Sequence, residues 1–403
     1  MKRIWFYNAE LLCPDGQVYG GLTVEEGRIA AILPGDAQPV GDFEKIDLRG
    51  AFLAPGFIDI HVHGGGGSDF MDGTPESFEA ALSMHLAHGT TALCPTTLAA
   101  EFDELGRVFD LCRQFRQAPD AGTRPRILGA HLEGPYIAAS MKGAQDEKYI
   151  RSPEDGSYRD ILKRAGGMLR IWTVAPELLG IEALEKAARS EGVLLSAGHS
   201  DGRFEDLERA AQNGYTMVTH LYSSMSTIIR ENGMRRPGIL EAALLLDGLT
   251  AEVIADGMHL PPSLLRLIVK TKGADGIVLV TDAMRGAGMP AGIYKLGSLR
   301  RGQDVISGGQ IARMSDGISF AGSVATTDRL VRVMTREAGV PLWQAVRMVT
   351  LNPARALGLE EIGVLQAGRR ADLVVLGPDL HVCAVYRDGR RVWEKSGKGD
   401  RET

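Results

Sequence analysis

The feature that most constrains the fold is the alternation of short apolar segments with helix-like segments through the middle of the chain. The helix-like segments, such as IEALEKAARSEG and FEDLERAAQNG, have helical spacing and end in glycine. Apolar strands separated by helices are typical of a parallel sheet covered by helices. The apolar segments are GFIDIHVHG (56–64), TTALCPTTL (90–98), ILGAHLEG (127–134), RIWTVAPE (170–177), VLLSAGHS (193–200), YTMVTHL (215–221), TAEVIADGMH (250–259) and GIVLVTDAM (276–284).

Eight such units predict an α/β fold, a closed (β/α)8 TIM-like barrel. A doubly wound open sheet is the alternative, because hydrophobic period alone does not separate the two. Both ends of the chain are instead rich in strand-forming residues, with turn signals at Pro14-Asp15-Gly16 and Asp388-Gly389. We therefore predict a small β-sandwich domain formed by both termini, with residues 1–52 and 359–403 in this domain and residues 53–358 in the barrel.

The composition excludes several classes of protein. Of the 403 residues, 44% are hydrophobic and 24% are charged, which is globular rather than disordered composition. The net charge of −6 argues against a nucleic-acid partner. No apolar run reaches the ~18 residues of a membrane helix, so we predict no membrane partner. The four cysteines are widely spaced without a CxxC pair, which predicts free thiols in a reducing cytoplasm.

Histidines are concentrated at the ends of the predicted strands, where barrel enzymes carry their chemistry. His61 and His63 are two residues apart on a strand, so both imidazoles face the same side and could chelate one metal ion. Taken alone, the pair is equally well explained as a polar strand end. Six of the nine histidines lie on or just after the strands, and this joint pattern predicts a metal site: His61, His63, His131, His199, His220 and His259.

Asp282 ends the last apolar segment, IVLVTDAM. A carboxylate after a mostly aliphatic strand is costly unless it meets a cation, hydrogen bonds or water. It could be a helix N-cap, a position that aspartate favours. It could also act as base and then acid beside a metal site, and we predict this catalytic role.

Six motifs resemble one known family in order and spacing. PGFIDIHVHG, HLEGPY, SAGHS, THLYSSM, ADGMH and VTDAM are similar to the amidohydrolase superfamily and, within it, to the N-acetylglucosamine-6-phosphate deacetylases. HLEGPY is the most specific of them, since PGFID with HxH fits any amidohydrolase. The resemblance implies a metal-dependent deacetylase of an amino-sugar phosphate, with a barrel, a small terminal β-domain and a homodimeric assembly.

The resemblance also implies roles for individual residues. Glu133, His199 and His220 match the ligands of the main metal ion, which is Zn²⁺ or Fe²⁺. His61 and His63 match a second metal position that only some members keep, so one or two ions per subunit are implied. The remaining matches are Asp282 as catalytic acid and base, His259 near the substrate with Asp256 beside it, and Ala321, Gly322 and Ser323 lining the sugar pocket.

Three departures from the family pattern lie at the substrate end. Ser223 and Ser224 replace the usual Asn-Ala, whose backbone helps to bind the sugar phosphate in the family. Gln145 stands where many members have histidine, and its amide can donate a hydrogen bond but carries no charge. The loop STIIRENGMRRPG is unusual, and the phosphate-binding arginine could be any of three residues: Arg230, Arg235 or Arg236.

Two alternatives therefore remain open. The chain could be an amidohydrolase for another N-acyl amino sugar, such as N-acetylgalactosamine-6-phosphate, or for a cyclic amide. It could also be a non-catalytic barrel used as a binding protein, although such a protein would be expected to lose its ligand residues or Asp282, and here they are all present.

Overall fold

The computed structural model describes residues 3–118, 122–317 and 319–395, and its central part is a barrel of parallel strands. The N-terminal strands are β1 (Ile4–Cys13), β2 (Gly16–Glu25), β3 (Arg28–Pro34), β4 (Glu44–Asp47) and β5 (Phe52–Pro55). The strands of the barrel region are β6 (Phe57–Val62), β7 (Gly64–Gly65), β8 (Ser68–Asp69), β9 (Thr90–Thr97), β10 (Arg126–Ile127), β11 (Ala130–Glu133), β12 (Leu169–Val174), β13 (Leu194–Ala197), β14 (Met217–Val218), β15 (Ile229–Glu231), β16 (Met234–Arg236), β17 (Thr250–Val253) and β18 (Ile277–Leu279). Two C-terminal groups follow: β19 (Gly292–Leu296), β20 (Gln303–Ser307) and β21 (Ala312–Met314), then β22 (Leu373–Leu376), β23 (Val382–Arg387) and β24 (Arg390–Glu394).

The α-helices alternate with the barrel strands and cover the barrel from outside. Their buried faces carry the apolar residues, and a typical start is that of the first helix, where Thr74 caps the backbone N–H of Ser77 and Pro75 opens the helix. The helices are α1 (Pro75–Ala87), α2 (Phe102–Gln117), α3 (Tyr158–Ala165), α4 (Ile181–Ser190), α5 (Phe204–Gln212), α6 (Ile239–Leu245), α7 (Pro262–Lys272), α8 (Thr327–Arg336), α9 (Leu342–Met348) and α10 (Leu351–Ala356). No helix among the described residues has the length and apolar character to span a bilayer.

The barrel strands pair in the order β6, β9, β10 with β11, β12, β13, β14, β17 and β18. Strands β10 and β11 both pair with β9, so they are two pieces of one strand position. The seam between β18 and β6 has no regular ladder, but the Asp282 backbone N–H donates to the His61 carbonyl at 2.9 Å. The Thr281 hydroxyl also donates to the buried Asp59 carboxylate at 2.5 Å across this seam. These bonds close the barrel, which excludes the open sheet.

Strands from both ends of the chain form one eight-stranded sheet. Its order is β24, β23, β22, β5, β1, β2 and β3, and β4 also pairs with β1. Strand β5 lies between β1 and β22, so the two termini meet where the chain enters the barrel. Asp388 and Gly389, both with positive φ (47° and 72°), join β23 to β24 at the predicted hairpin position. The predicted barrel with a strand-rich domain from both termini is confirmed.

Candidate metal centre and active site

The predicted metal ligands and the predicted acid and base meet at the carboxyl ends of the barrel strands. The apolar part of each strand stops just before the polar residue, which leaves that side chain at the mouth of the barrel rather than in its packed interior. Glu133 ends β11, and Asp282 follows β18 by three residues. His199 and His220 each follow their strands, β13 and β14, by two residues.

Glu133, His199 and His220 form the tightest cluster. The Glu133 Oε1 atom lies 3.0 Å from Nε2 of His199 and 3.0 Å from Nε2 of His220. The two Nε2 atoms are 3.2 Å apart, and all three side chains are buried. Ligand atoms bound to one tetrahedral ion at about 2.0–2.1 Å would be roughly 3.3 Å apart. The three residues therefore fit a divalent metal ion.

His61 and His63 lie on another side of the same glutamate, with Nε2 of His61 3.6 Å from its Oε1 atom. The His63 Nε2 atom lies 3.5 Å from Glu133 Oε2 and 3.3 Å from Nε2 of His61. Asp282 is beside this pair, with its Oδ1 atom 3.1 Å from Nε2 of His63. The Glu133 carboxylate thus lies between two pairs of imidazoles, and Asp282 adjoins the second pair.

The histidines around the site lower the pKa values of the two carboxyl groups, Asp282 and Glu133. Burial would raise the pKa of the Asp282 carboxyl, but the neighbouring His61 and His63 outweigh it and lower the pKa below its usual value. At Glu133, burial is likewise outweighed by His199 and His220, and the pKa lies well below its usual range. Asp282 is therefore ionised near neutral pH, as a general base must be.

His61 lies in strongly negative surroundings. Burial lowers the pKa of this imidazole, but the carboxylates of Glu252 and Asp282 together raise it to about 10. The surroundings therefore favour positive charge, which a divalent ion supplies in place of a proton.

Three of the site residues have left-handed backbones, which non-glycine residues rarely adopt. The φ angles are 49° at His199, 27° at His220 and 47° at Asp282. Their carbonyl oxygens accept backbone hydrogen bonds, among them one at 2.7 Å from the Ser323 N–H to Asp282. Gly322, which precedes Ser323, has a φ of 60°, and a Cβ atom there would lie 2.9 Å from the Asp282 carbonyl oxygen. The strained Asp282 backbone thus needs glycine beside it.

His259 and Asp256 form a pair at the edge of the site. The Asp256 carboxylate accepts a hydrogen bond from Nδ1 of His259 at 2.9 Å, and the imidazole stacks on Phe320 with 4.4 Å between ring centroids. Burial raises the pKa of Asp256, but the bond and charge of His259 lower it overall. This arrangement leaves Nε2 of His259 for a ligand and makes Asp256 its support.

Gln145 is held in one orientation by two neighbours. Its Oε1 atom accepts a hydrogen bond from the Ala99 backbone N–H at 2.8 Å, so the amide nitrogen must face the other way. That nitrogen donates to Glu133 Oε2 at 2.6 Å. Gln145 therefore contacts the carboxylate between the two metal positions and also lines the pocket above it.

The site opens into a pocket of about 350 Å³. Among the predicted substrate-binding residues, Gln145, Ser223, Ser224, His259 and Gly322 line it. Ser323 is buried behind Asp282, and Ala321 is also buried.

The three candidate phosphate-binding arginines lie elsewhere. Arg230, Arg235 and Arg236 are exposed on the β15–β16 hairpin, where Arg230 pairs with Arg235 and Arg236 is 3.4 Å from Glu231. Within the described part of the chain, none of the three lines the pocket. Their role in phosphate binding remains a prediction.

Sequence reasoning missed Glu252 and Asp59. Glu252, on β17, is fully buried and accepts a hydrogen bond from Nδ1 of His61 at 2.9 Å. Asp59 closes the barrel seam beneath the same histidine. The signal that singled out Asp282, a carboxylate within an aliphatic strand, is present in TAEVIA and would have identified Glu252.

Comparison with known proteins agrees with this geometry. The model of the amidohydrolase family matches residues 52–392. An N-acetylglucosamine-6-phosphate deacetylase of Lysinibacillus sphaericus is 35% identical over 91% of this chain and 92% of its own length. An N-acetylgalactosamine-6-phosphate deacetylase of Escherichia coli O157:H7 is 33% identical over 92% of this chain and 93% of its own.

Solved structures of deacetylases are also similar to this chain over nearly its whole length. A variant N-acetyl-D-glucosamine-6-phosphate deacetylase from Mycobacterium smegmatis, in complex with N-acetyl-D-glucosamine-6-phosphate, has a TM-score of 0.88 and 34% identity. The match covers 97% of this chain and 100% of that one. The Thermotoga maritima N-acetylglucosamine-6-phosphate deacetylase has a TM-score of 0.85 and 30% identity, with coverage of 97% and 100%.

Proposed function

The chain belongs to the amidohydrolase family and, within it, to the N-acetylglucosamine-6-phosphate deacetylases, and on that premise we propose that it hydrolyses N-acetylglucosamine-6-phosphate to glucosamine-6-phosphate and acetate. The observation that carries this proposal is the meeting of Glu133, His199 and His220 around one point, with Asp282 beside it and a pocket above.

The metal centre would use the chain's own carboxylate and imidazoles. Glu133, His199 and His220 would hold the main ion, while His61 and His63, also with Glu133, would hold another. We propose Zn²⁺ or Fe²⁺, since both accept histidine and carboxylate ligands. When bound, the ion acts as a Lewis acid that polarises the acetamide carbonyl and lowers the pKa of water.

Asp282 would carry the proton through the reaction. Its ionised carboxylate takes a proton from the attacking water, whose oxygen forms a bond to the carbonyl carbon. Asp282 then gives this proton to the amide nitrogen as the carbon–nitrogen bond breaks, which yields the amine and acetate. The base and the acid are both needed. A neutral amide is a poor electrophile, so the water must be activated, and the amide nitrogen is a poor leaving group until it is protonated.

The pocket residues would orient the substrate. His259, held through Nδ1 by Asp256, would present Nε2 to the carbonyl oxygen. Gln145 has a second amide hydrogen that could also reach this oxygen. Ser223 and Ser224 line the pocket and would contact the sugar or its phosphate.

An assay of acetate release from N-acetylated sugars tests the substrate. We expect the highest kcat/KM for N-acetylglucosamine-6-phosphate and a large loss without the phosphate. Preference for N-acetylgalactosamine-6-phosphate would instead favour the activity named for the relative from Escherichia coli. Hydrolysis of cyclic amides alone would overturn the deacetylase proposal. Absence of any activity after metal addition would favour the non-catalytic barrel.

Loss of the phosphate-binding arginine should raise KM selectively. Hydrogen bonds to charged groups contribute about 1.5–3 kcal/mol, so alanine at the right position among Arg230, Arg235 and Arg236 should raise KM roughly 10–150-fold. KM for the unphosphorylated sugar should stay unchanged. Arg390→Ala, on the exposed strand β24, is the matched control. If all three alanine variants keep the wild-type KM, the hairpin does not bind the phosphate.

We further propose a homodimer in the cytoplasm. The exposed hydrophobic side chains of Ile228 and Met234, at and beside the β15–β16 hairpin, support a protein partner at this surface. The four cysteines are free thiols, which supports a reducing compartment. Light scattering after size-exclusion chromatography should give twice the chain mass, and a monomer mass would contradict the dimer.

A further inference from the structure

We propose that Glu252 is a positioning residue that makes His61 a metal ligand, by holding the Nδ1–H of this imidazole so that Nε2 faces Glu133, His63 and Asp282. This inference rests on the proposed function, because it concerns the ion that His61 and His63 would hold. Among the described residues, the Glu252 side chain contacts the proposed ligands at the His61 imidazole and at the His220 backbone, so it would act on the ion through these histidines.

The contacts of Glu252 lead to the metal centre. The side chain is fully buried, and its Oε2 atom lies 2.9 Å from Nδ1 of His61. The same oxygen accepts a longer bond, 3.4 Å, from the backbone N–H of His220. Its Oε1 atom has no hydrogen-bond partner among the described residues. A buried carboxylate with one unpaired oxygen is costly, so its presence here calls for a functional explanation.

The geometry of an imidazole explains how Glu252 acts. A neutral imidazole carries one proton, so Nε2 can bind an ion only if the proton is on Nδ1. Glu252 accepts that proton's hydrogen bond, and Nε2 of His61 is then free at 3.6 Å from Glu133 Oε1 and 3.3 Å from Nε2 of His63. A carboxylate in this position also makes the imidazole a stronger donor to a metal ion.

The other ligand histidines have weaker partners. Nδ1 of His199 bonds to the Met141 carbonyl oxygen at 2.8 Å. Nδ1 of His63 and of His220 has no hydrogen-bond partner in the described ranges. His61 is therefore the ligand histidine whose orientation depends on a carboxylate, and the loss of Glu252 should affect the His61 position first.

A direct metal site at Glu252 is the competing explanation, because His131, His61 and Glu252 lie close together. Both nitrogens of His131 are already engaged, Nδ1 with the Ile60 carbonyl at 2.9 Å and Nε2 with the Thr173 hydroxyl at 2.8 Å. Burial also lowers the pKa of His131 well below its usual value, so this imidazole is neutral. His131 packs against His61 with 4.5 Å between ring centroids, and both of its nitrogens have hydrogen-bond partners other than an ion.

Two variants of Glu252 separate orientation from packing. Glu252→Gln keeps an oxygen that can accept the Nδ1–H bond but loses the charge, whereas Glu252→Leu removes the acceptor. Glu185→Gln is the matched control, because Glu185 is also a buried glutamate whose carboxylate accepts a side-chain hydrogen bond, here from Asn213. Glu185 lies on the outer helix α4, away from the metal centre.

Metal binding is the first measurement. Chelator-stripped protein is titrated with Co²⁺ in competition with a chromophoric chelator. We expect Glu252→Leu to lower the affinity for the ion held by His61 and His63 about 10–100-fold, the range measured when a hydrogen-bond partner of a ligand histidine is removed. The affinity for the main ion, held by Glu133, His199 and His220, should fall much less. Glu252→Gln should fall between Glu252→Leu and wild type, and Glu185→Gln should match wild type. Equal binding of both ions by wild type and Glu252→Leu would overturn the proposal.

The hydrogen bond of the His61 Nδ1–H is the second measurement, and it is independent of metal and activity. In ¹H–¹⁵N spectra of the histidines of the stripped protein, assigned with His61→Asn, wild type should show a downfield Nδ1–H proton of His61 that exchanges slowly with water, because it is bonded to the buried Glu252 carboxylate. Glu252→Leu should lose this signal, and its retention would overturn the positioning role. If wild type takes up one ion only, the two-ion proposal fails, and the His61 spectrum alone decides the role of Glu252.

Discussion

Asp282→Asn should lower kcat by about 10²–10⁴-fold, the usual contribution of a positioned acid and base, while the metal content stays close to wild type. Asparagine keeps the size of the side chain and can still bond to His63, but it can neither take a proton from water nor give one to the amine. Because the strained backbone at φ 47° also tolerates asparagine, the fold should persist.

The measurement pairs steady-state kinetics with metal analysis of the same preparation. Asp247→Asn is a control for the substitution itself, since Asp247 is exposed after α6. Full turnover by Asp282→Asn would show that the acid and base assignment is wrong. Loss of metal together with activity would move Asp282 from proton transfer to metal binding.

His199→Asn and His220→Asn should each lose metal and activity together. A zinc site of four ligands binds with about 10–16 kcal/mol, so one ligand is worth roughly 2.5–4 kcal/mol, or a 10²–10³-fold weaker affinity. The effect should be shared by both variants, because both imidazoles lie 3.0 Å from the same oxygen of Glu133.

Metal content after dialysis against a weak chelator is the readout, and activity is followed as metal is added back. His381→Asn is the matched control and should bind metal as wild type does, because His381 is half exposed just before strand β23 of the terminal sheet. Excess metal should restore part of the activity, since the remaining ligands and Asp282 are intact. Unchanged occupancy in either variant would exclude that histidine as a ligand.

The fold was predictable because its signals are local. Each strand of the parallel barrel is buried on both faces and therefore reads as an apolar run, while each helix reads as a period of 3.6 residues. The Asp388-Gly389 hairpin was predictable for the same reason, because the required backbone conformation restricts the residue types.

The main cluster was predictable in its members but not in its arrangement. Polar residues at the ends of apolar strands predicted a metal site among the histidines and a catalytic role for Asp282, since a barrel brings such ends together, and the family resemblance added Glu133 as a ligand. The position of the Glu133 carboxylate between the two pairs of histidines depends on contacts between residues far apart in sequence.

The supporting residues show where sequence reasoning stopped. Gln145 was predicted to contact the substrate, and the structure places its amide between Ala99 and Glu133. Asp256 supports His259 from behind. Glu252 was overlooked because it stands in the middle of its strand, and its partner His61 is 191 residues away.

Residue types and their spacing were thus enough to predict a barrel with candidate metal ligands at its mouth, since burial and strand period act over a few neighbouring residues. The pairing of Glu252 with His61, the fixed amide of Gln145 and the exposed position of the hairpin arginines emerged only once the chain was folded. Hydrogen bonds and charges act over a few ångströms in space, and nothing in the local sequence encodes which distant residue will occupy that distance.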